Sequence, residues 1–260
     1  MRISCCAYSY REALTRKEMS LTDFIKTCAE LGLDGVELTG YYFPDSQRPT
    51  LNAIKRYCYR MGMAISGTAM RNQFALPDAD QRRVEVEKTK QWIDIAVALG
   101  APMLRVFADR LPEGYPEEQV YQWVVDCFAQ VIPYAEAQGV VLGLETHWGL
   151  TATAEGTLRL IRHFKSDYFG VLLDPANFRE NHYKVVEQLA PYTVSVHAKT
   201  HSRHTNEEFF ELDYERILAI LKAVGYRGYI AIEYEHTEPP QVAIPRFARK
   251  LVALRDRIAR

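Results

Sequence analysis

The sequence predicts an α/β fold, a (β/α)8 TIM barrel built as a single domain over its 260 residues. Three observations carry that prediction. Strand-like and helix-like runs alternate from end to end, as parallel βα units require. No linker or low-complexity stretch divides the chain. Four strand-like runs in the C-terminal half, Val140–Glu145, Phe169–Asp174, Thr193–His197 and Tyr229–Glu233, each end on a side chain able to bind a metal, and their ends lie roughly 23 to 36 residues apart. That spacing accommodates a strand, a helix and two loops. An open doubly wound sheet shares the alternation, but the glycine-rich phosphate fingerprints of Rossmann and P-loop folds are absent.

The elements follow in order. Ile3–Tyr8 reads as the first strand and Leu21–Leu31 as a helix, capped by Ser20 or Thr22 and closed by Gly32. Gly35–Leu38 is the second strand, followed by a helix over Thr50–Met61 that Gly62 ends. Met63–Gly67 is the third strand, and Asp80–Leu99 a long helix with Gly100 at its C-terminal side. Met103–Phe107 makes the fourth strand, and Pro116–Gln138, stopped by Gly139, the fourth helix, in which Pro133 predicts a kink. The remaining helices are expected over Ala154–Phe164, Tyr183–Ala190, Asp213–Val224 and Pro240–Ile258. With the four C-terminal strands the total is eight strands and eight helices.

Strand parity then selects a face. Counting back by twos from Glu145, Asp174, His197 and Glu233 gives Gly143, Leu172, Ser195 and Ala231, whereas the other parity gives Leu144, Leu173, Val196 and Ile232, the better core formers. The four chemical side chains therefore share the inner face at one sheet edge. In a closed barrel this edge is the C-terminal mouth, where active sites sit. The three carboxylates gathered there around an imidazole repel one another unless a cation neutralises them, and a divalent ion does so most directly.

Composition narrows the function. Thirty-two basic against 33 acidic residues give a formal charge of −1, so no general attraction to nucleic acid or to an anionic membrane surface is expected. A small neutral or weakly charged molecule is the expected partner. The five cysteines are odd in number and lack a CxxC spacing, which points to reduced thiols and a cytoplasmic location. Neither a secretory segment nor a membrane span is read from the sequence. A homo-oligomer is compatible with all of this.

Each candidate site residue has a plainer reading. Glu145 opens Glu-Thr-His-Trp-Gly, and His147, just past the strand, is expected to contact substrate rather than metal. Asp174 opens Asp-Pro-Ala-Asn, where a helix cap or Asx-turn is the alternative. His197 begins His-Ala-Lys-Thr-His-Ser-Arg-His, so His197, His201, His204, Lys199 and Arg203 gather in one loop, with Lys199 and Arg203 as candidate substrate contacts. Glu233 lies in Ile-Glu-Tyr-Glu-His, where parity selects it over Glu235 and His236. Glu37 and Arg105 point inward from strands two and four, facing substrate or pairing with each other. Tyr8, Tyr41, Phe43, Phe74, Phe107, Trp148 and Phe178 could wall a sugar pocket.

The runs Gly35-Val36-Glu37, Leu144-Glu145, Leu173-Asp174 and Val196-His197-Ala198-Lys199, with the tail from Leu212-Asp213-Tyr214 to Gly225-Tyr226-Arg227-Gly228-Tyr229-Ile230-Ala231-Ile232-Glu233, resemble the xylose isomerase-like TIM-barrel superfamily of sugar isomerases and epimerases. The resemblance covers almost the whole chain. It implies one divalent metal held by Glu145, Asp174, His197 and Glu233, with Glu145 and Glu233 flanking the substrate as catalytic carboxylates. Members with epimerase activity often carry a His three residues after the strand-six Asp. This chain has Asn177 there, as a candidate substrate contact, and the activity stays open at that point.

In the implied chemistry a carboxylate enolises a hydroxy-ketone beside the metal. Two carboxylates on opposite faces give epimerisation, and one base acting on adjacent carbons gives aldose-ketose isomerisation. Expulsion of a β-hydroxyl, assisted by His147 or Lys199, gives dehydration. The oxygen-rich ligand set suits Mn²⁺, Mg²⁺ or Co²⁺, and Zn²⁺ is compatible. The same superfamily contains an endonuclease IV branch, which needs additional histidines and a positive DNA-facing surface. A non-catalytic sugar-binding barrel is the remaining alternative.

Overall fold

The computed structural model describes residues 1–179, 181–203 and 208–259. His204, one of the histidines of the basic loop, lies outside the described residues. Eight parallel strands close into a barrel: β1 (Arg2–Cys6), β2 (Gly35–Thr39), β3 (Ala64–Ala69), β4 (Met103–Val106), β5 (Val141–Glu145), β6 (Phe169–Leu173), β7 (Thr193–Ala198) and, last in the chain, β10 (Tyr229–Ile232), which pairs with both β1 and β7. Helices α2 (Leu21–Glu30), α3 (Arg48–Arg60), α4 (Ala79–Leu99), α5 (Glu117–Gln138), α6 (Ala154–Phe164), α7 (His182–Leu189), α8 (Tyr214–Ala223) and α9 (Pro240–Ala259) follow the strands in turn. The predicted closed barrel is thus the observed one.

Local chemistry explains the boundaries. Ser20 and Asp23 form a reciprocal capping box at the start of α2. Gly100 and Gly139 end α4 and α5 with φ of 74° and 70°, a left-handed conformation that glycine adopts without steric cost. α5 runs as one helix through Pro133. The outward parity works as expected: Leu144, Leu173, Val196 and Ile232 are fully buried beneath the helices, each contributing about 1.5–3 kcal/mol. Inside the barrel, a Cβ on Gly67 or Gly143 would meet the Met103 side chain at 2.6 Å and 3.1 Å respectively. The small inward residue at 143 makes room for Met103 to fill the barrel.

Two segments differ from the sequence-based expectation. The first strand stops at Cys6 rather than Tyr8, because the chain turns across the barrel mouth. There the Ser9 hydroxyl donates to the Ile232 carbonyl (2.9 Å) and accepts from the Tyr234 N–H (2.9 Å). A short helix α1 (Arg11–Thr15) follows. The basic loop after β7 is folded rather than simply solvated: β8 (His201–Arg203) pairs antiparallel with β9 (Phe209–Glu211). Among the described residues no helix is long and apolar enough to cross a membrane.

Candidate metal and active site

Strand ends β5, β6, β7 and β10 deliver Glu145, Asp174, His197 and Glu233 to the C-terminal mouth, and one ligand-type atom from each lies within 4.8 Å of all the others. All four are buried. Glu145 and His197 are strand residues, whereas Asp174 and Glu233 stand one step past β6 and β10.

His197 is held from behind. Its Nε2 lies 2.8 Å from Glu37 Oε1, which turns Nδ1 toward the cluster. Nδ1 lies 3.3 Å from Glu233 Oε2 and 3.8 Å from Glu145 Oε1 yet makes no hydrogen bond, a buried orphan between two carboxylates. A ring nitrogen so placed, backed by a carboxylate on its other nitrogen, is the arrangement of a metal-binding histidine. The donor set therefore fits a divalent ion. The anticipated Glu37–Arg105 ion pair does not form: Glu37 supports His197, and the Arg105 Nη1 donates to Glu145 Oε2 at 2.8 Å. The Arg105 Nη2 also donates to the Tyr41 hydroxyl and the Met70 carbonyl, both at 3.1 Å.

Asp174 satisfies both of its sequence readings at once. Oδ1 accepts the Ala176 N–H at 2.9 Å, the expected local cap, while Oδ2 faces the cluster and accepts from the Asn177 amide at 3.0 Å. Asn177 also donates to the Thr146 carbonyl (2.9 Å), and Thr146 Oγ1 accepts the Asp174 N–H (2.9 Å). These bonds tie the loops after β5 and β6 together. Thr146 has the parity opposite to Glu145, so strand alternation did not mark it.

Lys199 is buried among the carboxylates. Its ammonium reaches Asp174 Oδ2 at 2.8 Å, Glu235 Oε1 at 3.0 Å, Asn177 Oδ1 at 3.2 Å and Glu233 Oε2 at 3.4 Å. Glu235, first weighed as an alternative to Glu233, is thus its neighbour on the same ammonium. Arg203 stands farther out on β8, with its guanidinium 4.3 Å from the Phe209 ring. The rings of His201 and His236 stack at 4.1 Å.

These charges set the protonation states. Burial raises the Glu145 carboxyl, but Arg105 and His197 outweigh it and hold the group down at about 2. Burial would lower His197, but the charges of Glu233 and Glu37 keep it well above its ordinary value. Burial, helped by Glu233 and Glu145 and opposed by Lys199, pushes Asp174 up to about 7. Without a metal the cluster therefore retains protons on Asp174 and His197 that a bound cation must displace. Divalent-metal affinity is accordingly expected to rise with pH across neutrality, tenfold per pH unit for each proton released. Calorimetric titration with Mn²⁺ between pH 6 and 8, in buffers of differing ionisation enthalpy, checks this. An affinity independent of pH would contradict it.

A cavity of about 530 Å³ opens beside the cluster, walled by Tyr8, Tyr41, Phe107, Trp148, His147, Glu145, Glu233 and Glu235, together with Arg71, Arg105 and Arg110. Four of the seven candidate aromatics line it. Phe74 packs in the core against Phe128 (5.1 Å), Phe43 against Trp92 (5.9 Å), and Phe178 is buried away from this cavity. Burial lowers His147 to about 4, so its imidazole is neutral at pH 7. A larger groove of about 950 Å³ lies outside the barrel between α6 and α7 and contains none of the four clustered side chains. The chemistry therefore belongs to the smaller cavity, which a second one of about 720 Å³, containing Asn177, Lys199 and Arg203, adjoins through His147, Trp148, Arg110 and Glu235.

A sequence profile described as xylose isomerase-like TIM barrel matches residues 25–251. No curated protein matches the chain significantly. Similar solved structures include a 3-keto-D-glucoside 4-epimerase from E. coli, with a TM-score of 0.78 at 15% identity over 98% of this chain and 99% of that one. A probable 3-DHS dehydratase from Bacillus anthracis superposes with a TM-score of 0.74 at 18% identity over 98% of each chain. A xylose isomerase-like TIM barrel protein from Mycobacterium smegmatis, in complex with magnesium, does so with a TM-score of 0.72 at 16% identity over 90% of this chain and 87% of that one. At these identities the likeness is one of fold.

Proposed function

The chain belongs to the xylose isomerase-like TIM barrel family, and from that membership and its site we propose that it is a metal-dependent sugar isomerase or epimerase acting on a keto-sugar or related polyhydroxy carbonyl compound. One observation carries the reading: of the four clustered side chains, only Glu145 and Glu233 reach the wall of the cavity. They come from β5 and β10, with β6 and β7 between them in the barrel. Two carboxylates so disposed serve two faces of one bound carbon.

In this proposal Glu145, Asp174, His197 and Glu233 hold one divalent ion, Mn²⁺, Mg²⁺ or Co²⁺ by the oxygen-rich donor set. When bound, the ion supplies Lewis-acid polarisation of the substrate carbonyl. Glu37 fixes the ring of His197, and Asn177 and Thr146 fix Asp174. One of Glu145 and Glu233 removes the proton from the carbon beside the carbonyl, and the other returns one to the opposite face. Arg105 holds Glu145 ionised and oriented. His147 contacts substrate as a neutral imidazole, Lys199 approaches substrate oxygens from the Asp174 side, and Arg203 borders the outer cavity. Dehydration is less well served, because His147 is a neutral imidazole at pH 7 and so a poor acid, and Lys199 holds its proton firmly among three carboxylates.

Turnover of ketohexoses and ketopentoses in D₂O with Mn²⁺ tests this. Deuterium is expected on the carbon next to the carbonyl, with loss of exchange in EDTA and recovery on adding Mn²⁺ or Co²⁺. Metal-dependent turnover without wash-in would remove the carboxylate-enolisation reading. Cleavage of abasic DNA under the same conditions would replace it with phosphodiester hydrolysis.

A further inference from the structure

We propose that Arg71 and Arg110 form an anion subsite at the outer end of this cavity, so that the substrate is a polyhydroxy carbonyl compound bearing a carboxylate or phosphate. The inference rests on the proposed function and specifies its substrate class. The cavity wall carries both signs of charge, with Glu145, Glu233 and Glu235 as its anions and Arg71, Arg105 and Arg110 as its cations. The two buried cations are already committed, Arg105 to Glu145 and Lys199 to Asp174, Glu233 and Glu235. Among the described residues, neither the Arg71 nor the Arg110 guanidinium has an ion pair or a side-chain hydrogen bond. The Asp109 carboxyl feels both guanidinium charges without pairing to either, so what the protein leaves uncommitted is their hydrogen-bonding capacity.

Both arginines stand on fixed backbone. Arg71 follows β3, where the fully buried Asn72 side chain clamps Phe107 in β4's loop, donating to its carbonyl and accepting its N–H, each at 2.8 Å. The next residue, Gln73, donates its N–H to Glu85 at 3.0 Å. Arg110 follows Asp109, a buried non-glycine residue at φ 67°. Gly149 packs so closely there that a Cβ would meet the Asp109 carbonyl at 2.6 Å. The left-handed backbone at Asp109 turns the chain so that the following residue, Arg110, lines the cavity.

The Arg110 guanidinium lies 4.2 Å from the Trp148 ring, which is itself tilted against Phe107 at 5.1 Å. Stacking occupies the face of a guanidinium and leaves its in-plane N–H groups free for a bidentate oxyanion. The balanced overall charge, which suggested a neutral partner, averages over the whole surface and says nothing of two uncommitted guanidinium groups at one cavity.

The test compares ligands that differ only at C6: D-fructose, D-fructuronate and D-fructose 6-phosphate, titrated calorimetrically into Mn²⁺-loaded protein, with inorganic phosphate as the minimal probe. At least one C6 anion is expected to bind tenfold or more tightly than fructose, with a preference that weakens as salt is raised. Phosphate is expected to bind and to be lost in the Arg71→Gln, Arg110→Gln double variant, whose melting temperature and Mn²⁺ content are unchanged. The relative strength of fructuronate and fructose 6-phosphate separates a carboxylate from a phosphate substrate. Equal binding of fructose and both anions, absence of phosphate binding, or an anion preference that survives in the double variant would overturn the subsite. Binding is read without turnover. An anion preference in the wild type without D₂O exchange would sink the enolisation reading alone, and exchange on neutral ketoses without any anion preference would sink the subsite alone.

Discussion

Replacing Glu233 by Gln is expected to lower kcat by about 10²–10⁴ and to suppress deuterium exchange at one face of the substrate, the loss typical of removing a positioned base. The variant should fold, because the amide can satisfy the same neighbours. Lys199 and His197 face Oε2 at 3.4 Å and 3.3 Å, so the amide oxygen settles there and the amino group turns toward Cys6, whose thiol now approaches Oε1 at 3.7 Å. Glu145→Gln differs in a way that identifies the cause. It strips the carboxylate from the buried Arg105 and should destabilise the fold by about 3–5 kcal/mol in addition to reducing activity. The measurement is paired: melting temperature and Mn²⁺ content for both variants, with proton NMR of substrate recovered from D₂O. Full exchange at both faces in Glu233→Gln would remove Glu233 as a base.

The barrel was legible because its signals are local and repeated. Helix-closing glycines and strand parity both follow from single-residue geometry, and the capping box before α2 repeats at Ser20 what the pattern of an N-cap demands. The clustering of Glu145, Asp174, His197 and Glu233 followed from the same parity, since a parallel barrel brings the ends of its strands together whatever lies between them. Legibility stopped where a contact depends on the rotation of side chains across the barrel. Glu37 and Arg105 share inward parity, which made their pairing reasonable, yet each found a nearer partner in His197 and Glu145.

Lys199 shows the same limit from the other side. A lysine in a run of histidines and arginines reads as solvated. The structure buries it because three carboxylates from the ends of β6 and β10 converge on the loop after β7. Arg71 and Arg110 escaped notice for a related reason. Both sit just beyond strand ends and belong to no motif, and it is the side-by-side pairing of β3, β4 and β5 that brings their loops to the same cavity as Glu145. The hairpin of β8 and β9 carries only three residues per strand, too short for an alternation pattern to stand out.

Lys199→Met is expected to destabilise the fold as strongly as Glu145→Gln, and its effect should depend on metal and on pH. The substitution keeps side-chain length but removes the charge that lies 2.8 Å from Asp174 and 3.4 Å from Glu233. In metal-free protein at pH 8 the carboxylates lose their main neutralising partner, at a cost of about 3–5 kcal/mol, or on the order of 10 °C in melting temperature. The sign with pH follows from Asp174, whose pKa is already pushed up to about 7. A carboxyl that binds its proton more tightly in the folded state favours folding at low pH, and that advantage is lost as pH rises through its folded pKa. Removing Lys199 raises this pKa further, so the deficit relative to wild type should be small near pH 5.5 and grow toward pH 8. A divalent ion supplies the missing positive charge. Mn²⁺ at a hundred times its Kd stabilises either protein by about 2.7 kcal/mol, and the deficit shrinks at a common Mn²⁺ concentration because the variant, lacking the competing ammonium, binds the ion more tightly. Thermal melts of wild type and variant at both pH values, with Mn²⁺ and with EDTA, decide the matter. An unchanged melting temperature in EDTA at pH 8 would show that the lysine does not neutralise the cluster. A deficit of equal size with and without Mn²⁺ would show that ion and ammonium do not act on the same carboxylates.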